Sequence, residues 1–206
     1  MLLPKFKYFD RPDLFSVFIV LDTNCDICTQ TKRCFDAEIY FGDDRLKAIC
    51  PECLASGALT GQDSFTCEGD IEELKRQLQS IYPENSSEAI QKIARDKTAE
   101  LEETTPKLIS WQDWAWPCTE GDYCAFIGFG SKALFNSMAE GNDGLDLFQT
   151  SLYYTVKEAG DPDELWAESM PAKNIKDYEA SQEFDTRFYV FKSLRSPGIV
   201  TIWDVN

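Results

Sequence analysis

Histidine is absent from this 206-residue chain. That absence removes Ser-His-Asp and Cys-His nucleophile arrangements and every imidazole-ligated metal site. Catalysis would have to rest on carboxylates, Lys, Tyr or Cys, and the chain is read as a non-enzyme. No apolar run approaches the roughly 18 residues of a membrane span. The first residues, "MLLPKFKYFDRPD", lack the charged-then-apolar pattern and the small-residue cleavage site of a signal peptide. Both absences predict a cytoplasmic protein, where thiols stay reduced and CxxC pairs hold metal in preference to forming disulfides. Basic residues are scarce: 20 Lys and Arg face 36 Asp and Glu, for a net charge of −16. Binding nucleic acid by neutralising phosphates needs the opposite balance, and an anionic membrane surface is disfavoured for the same reason. A basic protein partner is favoured.

What is present suffices for folding. Hydrophobic residues make up 43% of the chain and aromatics 13%, enough for a real core. Charge is uneven. Residues 1–59 hold nine acids and seven bases, whereas residues 140–185 hold twelve acids and three bases. The pattern predicts an α+β fold in which a small four-cysteine, zinc-ribbon-like module (1–60) joins an antiparallel sheet with flanking helices (61–206). One continuous domain is the other reading of that division. "FSVFIV" (15–20) and "CFDAEIYF" (34–41) have strand composition, with a "GDD" turn leading to a return over "RLKAI" (45–49). Pro51 suits the first turn of a short helix through Cys53 and Leu54. Ile71, Leu74, Leu78 and Ile81 recur at helical spacing, and Pro83 stops that helix. Asn85 with Glu88 predicts a capping box for a second helix carrying Ile90, Ile93, Ala94 and Leu101 on one face. "CAFIGFG" (124–130) reads as a buried strand before a short helix, and "TRFYVFKSL" with "GIVTIWDVN" as a terminal hairpin around "RSPG". "SWQDWAWPC" (110–118) packs three tryptophans together, either as an aromatic platform or as core anchors. No internal repeat is evident.

The specific signal is four sulfurs. "NCDICTQ" (24–30) and "ICPECLA" (49–55) each carry a CxxC, separated by 21 residues between Cys28 and Cys50. Two residues between cysteines let both thiolates converge on one side of an ion, and two such turns close a tetrahedron. Cys25, Cys28, Cys50 and Cys53 therefore form a complete ligand set for structural Zn2+. A redox role for one CxxC, and unligated cysteines, remain the alternatives. A closed four-thiolate site has no open position for substrate, so its work is to stabilise the fold. Cys34 and Cys67 read as ordinary buried or half-exposed thiols. Cys118 and Cys124 flank "TEGDY" as core thiols or a loose half-site.

"LPKFKYF", the first CxxC, "ICPECLASG", "SWQDWAWPC" and "GDYCAFIGFG" resemble, in that order, the signature segments of the bacterial colicin-tolerance CbrC family. The likeness runs from Leu3 to the last strand, is greatest at "CPEC" and "CAFIG", and is poor over 70–104 and 140–185. That family ends in a further CxxC in the context F-basic-C-L-x-C. Here "FKSLRS" puts Ser193 and Ser196 at those positions, and hydroxyls are poor zinc ligands beside thiolates. The family's counterparts of Cys118 and Cys124 also lie closer together. The resemblance thus implies that a second metal site has been lost and the first retained. It implies no catalytic residue, a bacterial origin and an association with tolerance of protein toxins. Together with the charge, this leads to the expectation of an immunity protein that binds a basic toxin, a nuclease among the candidates. The expected contact residues are Asp143, Asp146, Glu158, Asp161, Asp163, Glu164, Glu168 and Trp166, interleaved with Phe148, Tyr153 and Tyr154. A solvated acidic surface over core aromatics is the simpler role for any one of them. A general colicin or stress-tolerance factor with a structural zinc module is the alternative function.

Overall fold

The C-terminal hairpin organises the molecule. The computed structural model describes residues 3–42, 46–139, 143–154 and 161–206. Along the chain lie α1 (Pro12–Phe15), β1 (Thr23–Asn24), β2 (Thr31–Lys32), β3 (Phe35–Asp36), β4 (Phe41–Gly42), β5 (Ala48–Ile49), α2 (Pro51–Ala55) and β6 (Ser64–Phe65). The helices α3 (Ile71–Ile81) and α4 (Ser87–Thr104) follow, then β7 (Cys118–Thr119), β8 (Asp122–Tyr123) and β9 (Ala125–Phe129). Next come α5 (Lys132–Met138), α6 (Gly144–Ser151), α7 (Pro162–Glu164) running into a π-helical turn over Leu165–Ser169, and α8 (Tyr178–Ser181). The chain ends in β10 (Thr186–Lys192) and β11 (Ile199–Val205). The architecture is α+β with small antiparallel sheets, as the sequence pattern predicts.

β10 is the centre of a three-stranded sheet, paired antiparallel with β11 from Thr186↔Val205 to Lys192↔Ile199 and with β9 on its other side. Side chains along a strand alternate faces. Tyr189 and Phe191 therefore meet Phe126, Trp114 and Trp116 on one face, with Trp114–Tyr189 and Trp116–Phe191 centroids 5.0 and 5.2 Å apart. Phe188 and Val190 point the other way, into a second cluster with Phe135, Phe148, Leu165 and Met170. The segment around Phe9 lies parallel to β9: Phe126 N–H donates to Tyr8 O at 2.8 Å and Asp10 N–H to Phe126 O at 2.9 Å.

The larger cluster crosses residue 60 without a break. It joins Phe35, Ile49 and Leu54 to Leu74, Leu101, Tyr123, Phe126 and Tyr189. Leu74 and Leu78 of α3 and Ile90, Ala94, Thr98 and Leu101 of α4 are buried, the spacing expected when one helical stripe faces a core. Asp70 caps α3 by accepting from Glu73 N–H.

Four local expectations are corrected. "FSVFIV" is not a strand: Pro12 starts α1, Phe15 ends it inside the core, and only Phe18 makes a bridge, to Phe35. Residues 34–41 are interrupted after Asp36, whose carboxylate accepts from Glu38 N–H at 3.1 Å while Tyr40 N–H donates to Ala37 O. An aspartate that bonds the backbone two residues on makes a turn. The cap of α4 is Ser86, which accepts from Ala89 N–H, and not Asn85. Ile81 lies outside the α3 core stripe, 40% exposed. Asp43, Asp44 and Arg45 of the expected turn lie outside the described residues.

Candidate metal centre and acidic surface

Each CxxC is shaped by its own backbone. In the first, Thr29 N–H donates to Cys25 O at 2.8 Å and Cys25 N–H to Gln30 O at 3.1 Å, closing a knuckle between β1 and β2. Thr29 takes φ 60°, a left-handed conformation that costs a β-branched residue strain. In the second, Cys50 is the N-cap of α2 with Pro51 as its first residue, and Leu54 N–H donates to Cys50 O. The fixed φ of proline suits that position. Asp26, inside the first CxxC, ties the two knuckles together. Its carboxylate accepts from Lys47 and Ala48 N–H at 2.7 and 2.8 Å, and its N–H donates to Ala48 O.

As a result the sulfurs of Cys25, Cys28, Cys50 and Cys53 all lie within 4.8 Å of one another. The Cys28 and Cys50 sulfurs are 3.8 Å apart, far beyond the roughly 2.05 Å of a disulfide. All four are free thiols. The set is one in which four thiol sulfurs could hold a metal ion. Burial opposes ionisation of Cys25, but the N–H groups of Cys28, Cys50 and Ile27 outweigh it and bring the thiol down to about 7. Burial pushes Cys53 up to about 11 and raises Cys50 as well. Lys32 stands beside the cluster, 3.5 Å from Glu52, where its charge opposes that of thiolates.

Cys34 is buried next to this group, donating to Thr23 O at 3.8 Å. Burial, with Cys25 and Cys50 nearby, pushes it up to about 12, so it stays a thiol. Cys118 and Cys124 are buried too, and among the described residues no group of three or more Cys, Asp or Glu side chains able to hold an ion includes them. The Cys118 sulfur faces Tyr153 Oη at 3.5 Å and Asp70 O at 3.7 Å. The turn at Ser193 and Ser196 is closed by hydrogen bonds. Ser193 Oγ donates to the carboxylate of Glu120, which lies between Cys118 and Cys124, and accepts from Arg195 N–H at 3.0 Å. Asp26, Lys32 and Glu120 escape a reading based on cysteine spacing, although Asp26 lies inside a CxxC.

The tryptophans of "SWQDWAWPC" serve the core. Trp116 is buried, with its indole N–H on Cys124 O at 2.8 Å, and Trp114 donates to Asp204 at 3.3 Å.

The acidic stretch presents its carboxylates outward. Asp143, Asp146, Asp161, Asp163, Glu164 and Glu168 are all exposed. None pairs with a basic side chain among the described residues. Asp143 and Asp161 cap α6 and α7, accepting from Leu145 and Asp163 N–H at 3.0 and 2.9 Å. Gln149 of α6 bonds Asp163 at 2.9 Å and so brings the two acidic helices together. Glu158 lies outside the described residues. Phe148 is fully buried, Tyr153 is held by Asp70 at 3.0 Å, and Trp166 is half-buried against Phe135 and Phe148. Trp166 is the aromatic of these acidic elements that keeps some exposure, whereas Tyr154, 47% exposed, packs on Tyr153 and donates from Oη to Ala115 O at 3.5 Å. Among the described residues no helix is long and apolar enough to cross a membrane.

No solved structure matches the chain. The model of the uncharacterised protein family UPF0167 matches residues 3–189, nearly the whole sequence, and the chain therefore belongs to that family, of which CbrC is a member.

Proposed function

We propose that this chain is a non-enzymatic, zinc-stabilised bacterial immunity or tolerance protein that binds and neutralises a basic antibacterial toxin in the cytoplasm. The observation that carries the reading is the group of six exposed carboxylates on two adjoining helical elements, none with a basic partner among the described residues, in a chain of net charge −16. Such a surface complements the basic cleft of a nuclease, steers it into contact and leaves Trp166 as an aromatic anchor. Zinc fits the donor set. Tetrahedral zinc–sulfur bonds of about 2.3 Å place sulfurs about 3.8 Å apart, the separation of Cys28 and Cys50. Bound there, zinc would be closed to substrate and would hold the two knuckles together.

The test uses purified basic toxins encoded beside this gene. Association should be fast at low salt, slow as salt rises, and slow several-fold when Asp146, Asp163 and Glu164 are changed to Lys. Failure to bind or protect against any such toxin would refute the reading. A second reading, a general tolerance factor with no dedicated toxin, is favoured by the use of Asp143 and Asp161 as helix caps, which accounts for part of the acidity structurally. Protection that survives the charge reversals would select it.

A further inference from the structure

Away from the cysteines and the acidic face, a cavity of about 220 Å³ opens beside the segment joining α4 to β7. Phe41, Trp114 and Trp116 line it, together with Lys107, Glu68 and Asp113. Both indole N–H groups are spent elsewhere, on Asp204 and on Cys124 O, so the tryptophans offer the cavity only apolar surface. Polar recognition falls to Ser110 and three charged groups. The Lys107 ammonium sits 3.4 Å from the Phe41 ring centroid. Among the described residues it has no hydrogen-bond acceptor and no carboxylate within ion-pairing distance. Burial pushes its amine down to about 8, although Cys67, Asp113 and Glu68 act in the other direction. The side chains of Glu68 and Asp113 likewise have no donor among the described residues. Buried or half-buried polar groups in proteins are nearly always partnered; the half-buried Lys107 ammonium is not, whereas Glu68 and Asp113 are exposed and reach solvent.

The missing partner can be described chemically. An engineered cavity of about 150 Å³ takes benzene, so this one admits a single six-membered ring with small substituents. Aromatic walls favour a planar molecule. A lining of one cation and two anions, in a chain of net charge −16, disfavours an anionic ligand. A neutral molecule must then offer an acceptor to Lys107 and a donor to Asp113 or Glu68. Cyclic amides carry both on adjacent ring positions.

We propose that this cavity is a binding site for a small, neutral, planar cyclic amide of pyrimidine size, with its carbonyl on the Lys107 ammonium and its N–H on Asp113 or Glu68. The inference is independent of the toxin-binding reading. Uracil is the probe, titrated into the full chain and followed by tryptophan fluorescence. Saturable quenching is expected. Lys107→Met, which keeps the stem and removes the donor, should weaken it about tenfold, as should N,N′-dimethylation of the uracil. Asp113→Ala, at an exposed position that does not threaten folding, should weaken it about threefold. The proposal is overturned if uracil gives no saturable response up to its solubility limit. It is equally overturned if the variants and the dimethylated base bind as well as the originals, which would leave an apolar slot without polar recognition. Tighter binding of benzoate would show an anion site, and tighter binding of polyuridylate a nucleic-acid surface; either result overturns the proposal.

Discussion

Asp204 offers a quantitative test of how the tryptophan segment is held. Its carboxylate is fully buried in β11. Oδ2 accepts from Trp111 N–H at 3.0 Å, Gln112 N–H at 3.4 Å and Trp114 Nε1–H at 3.3 Å, and Tyr189 Oη donates to the carboxylate at 3.1 Å. Asp204→Ala removes all four acceptances. Gln112 is exposed and turns to water. Tyr189 has a second acceptor in Ile109 O at 3.3 Å. Two donors, the Trp111 N–H and the Trp114 indole, are then left without a partner. At about 1–3 kcal/mol for each unsatisfied group, plus a small cavity, the loss is about 4 kcal/mol. Asp204→Asn keeps one carbonyl oxygen for the nitrogen donors and turns its amide toward Tyr189 Oη, which can accept while donating to Ile109 O. Its cost is about 1 kcal/mol. Urea unfolding followed by circular dichroism measures both. A loss of less than about 1 kcal/mol in Asp204→Ala, or equal destabilisation of the two variants, would show that this carboxylate does not hold the segment. The pH dependence has a definite sign. Burial raises the Asp204 pKa above its ordinary 3.8, so the folded state holds this proton more tightly than the unfolded chain. The associated stability is complete below 3.8 and is lost as pH rises through the folded value. Asp204→Asn lacks that loss, so its deficit against the native chain should be smaller at neutral pH than in acid.

Asp26→Ala should release the backbone N–H groups of Lys47 and Ala48 and loosen the two knuckles by about 2 kcal/mol, read as faster extraction of bound zinc by a chelator. Lys107→Met should stabilise the protein at neutral pH by about 1 kcal/mol after discounting for partial exposure, because it removes a poorly solvated charge. The folded Lys107 pKa of about 8 lies below its ordinary 10.5. The native chain therefore gains stability relative to the variant as pH rises from 8 to 10.5, and thermal melts across that range should converge. Gly42→Ala would place a Cβ 2.1 Å from Asp63 O at a φ of +91°, separating β4 from β6, and should cost about 2 kcal/mol or more in the same unfolding assay.

Features governed by neighbours in sequence were legible from it. The apolar stripes of α3 and α4 repeat within a few residues, and the β10–β11 hairpin needs only alternation around a "RSPG" turn. The four-sulfur set was legible because ligand spacing is itself a local constraint. Long-range pairing was not. Nothing in "KYFD" announces that Tyr8 and Phe9 run along β9, a contact across more than 110 residues of chain. The alternation of Phe188 and Val190 against Tyr189 and Phe191 showed a two-faced strand without naming what covers each face. The acidic stretch 140–185 turned out to supply part of that cover through Phe148, Leu165 and Met170. In the strand-like 34–41 segment, the Asp36 turn outweighed β-propensity. Side chains that act through geometry, such as Asp26 joining two knuckles and Asp204 gathering three nitrogen donors, carry no sequence signature beyond being aspartates.

Native mass spectrometry of the chain purified without chelator measures the central claim most directly. One zinc ion per chain is expected, lost in the Cys50→Ser variant, with Cys25, Cys28, Cys50 and Cys53 shielded from alkylation only while the ion is bound. A metal-free mass with all four thiols freely alkylated, or a mass two hydrogens lighter from a disulfide among them, would contradict it.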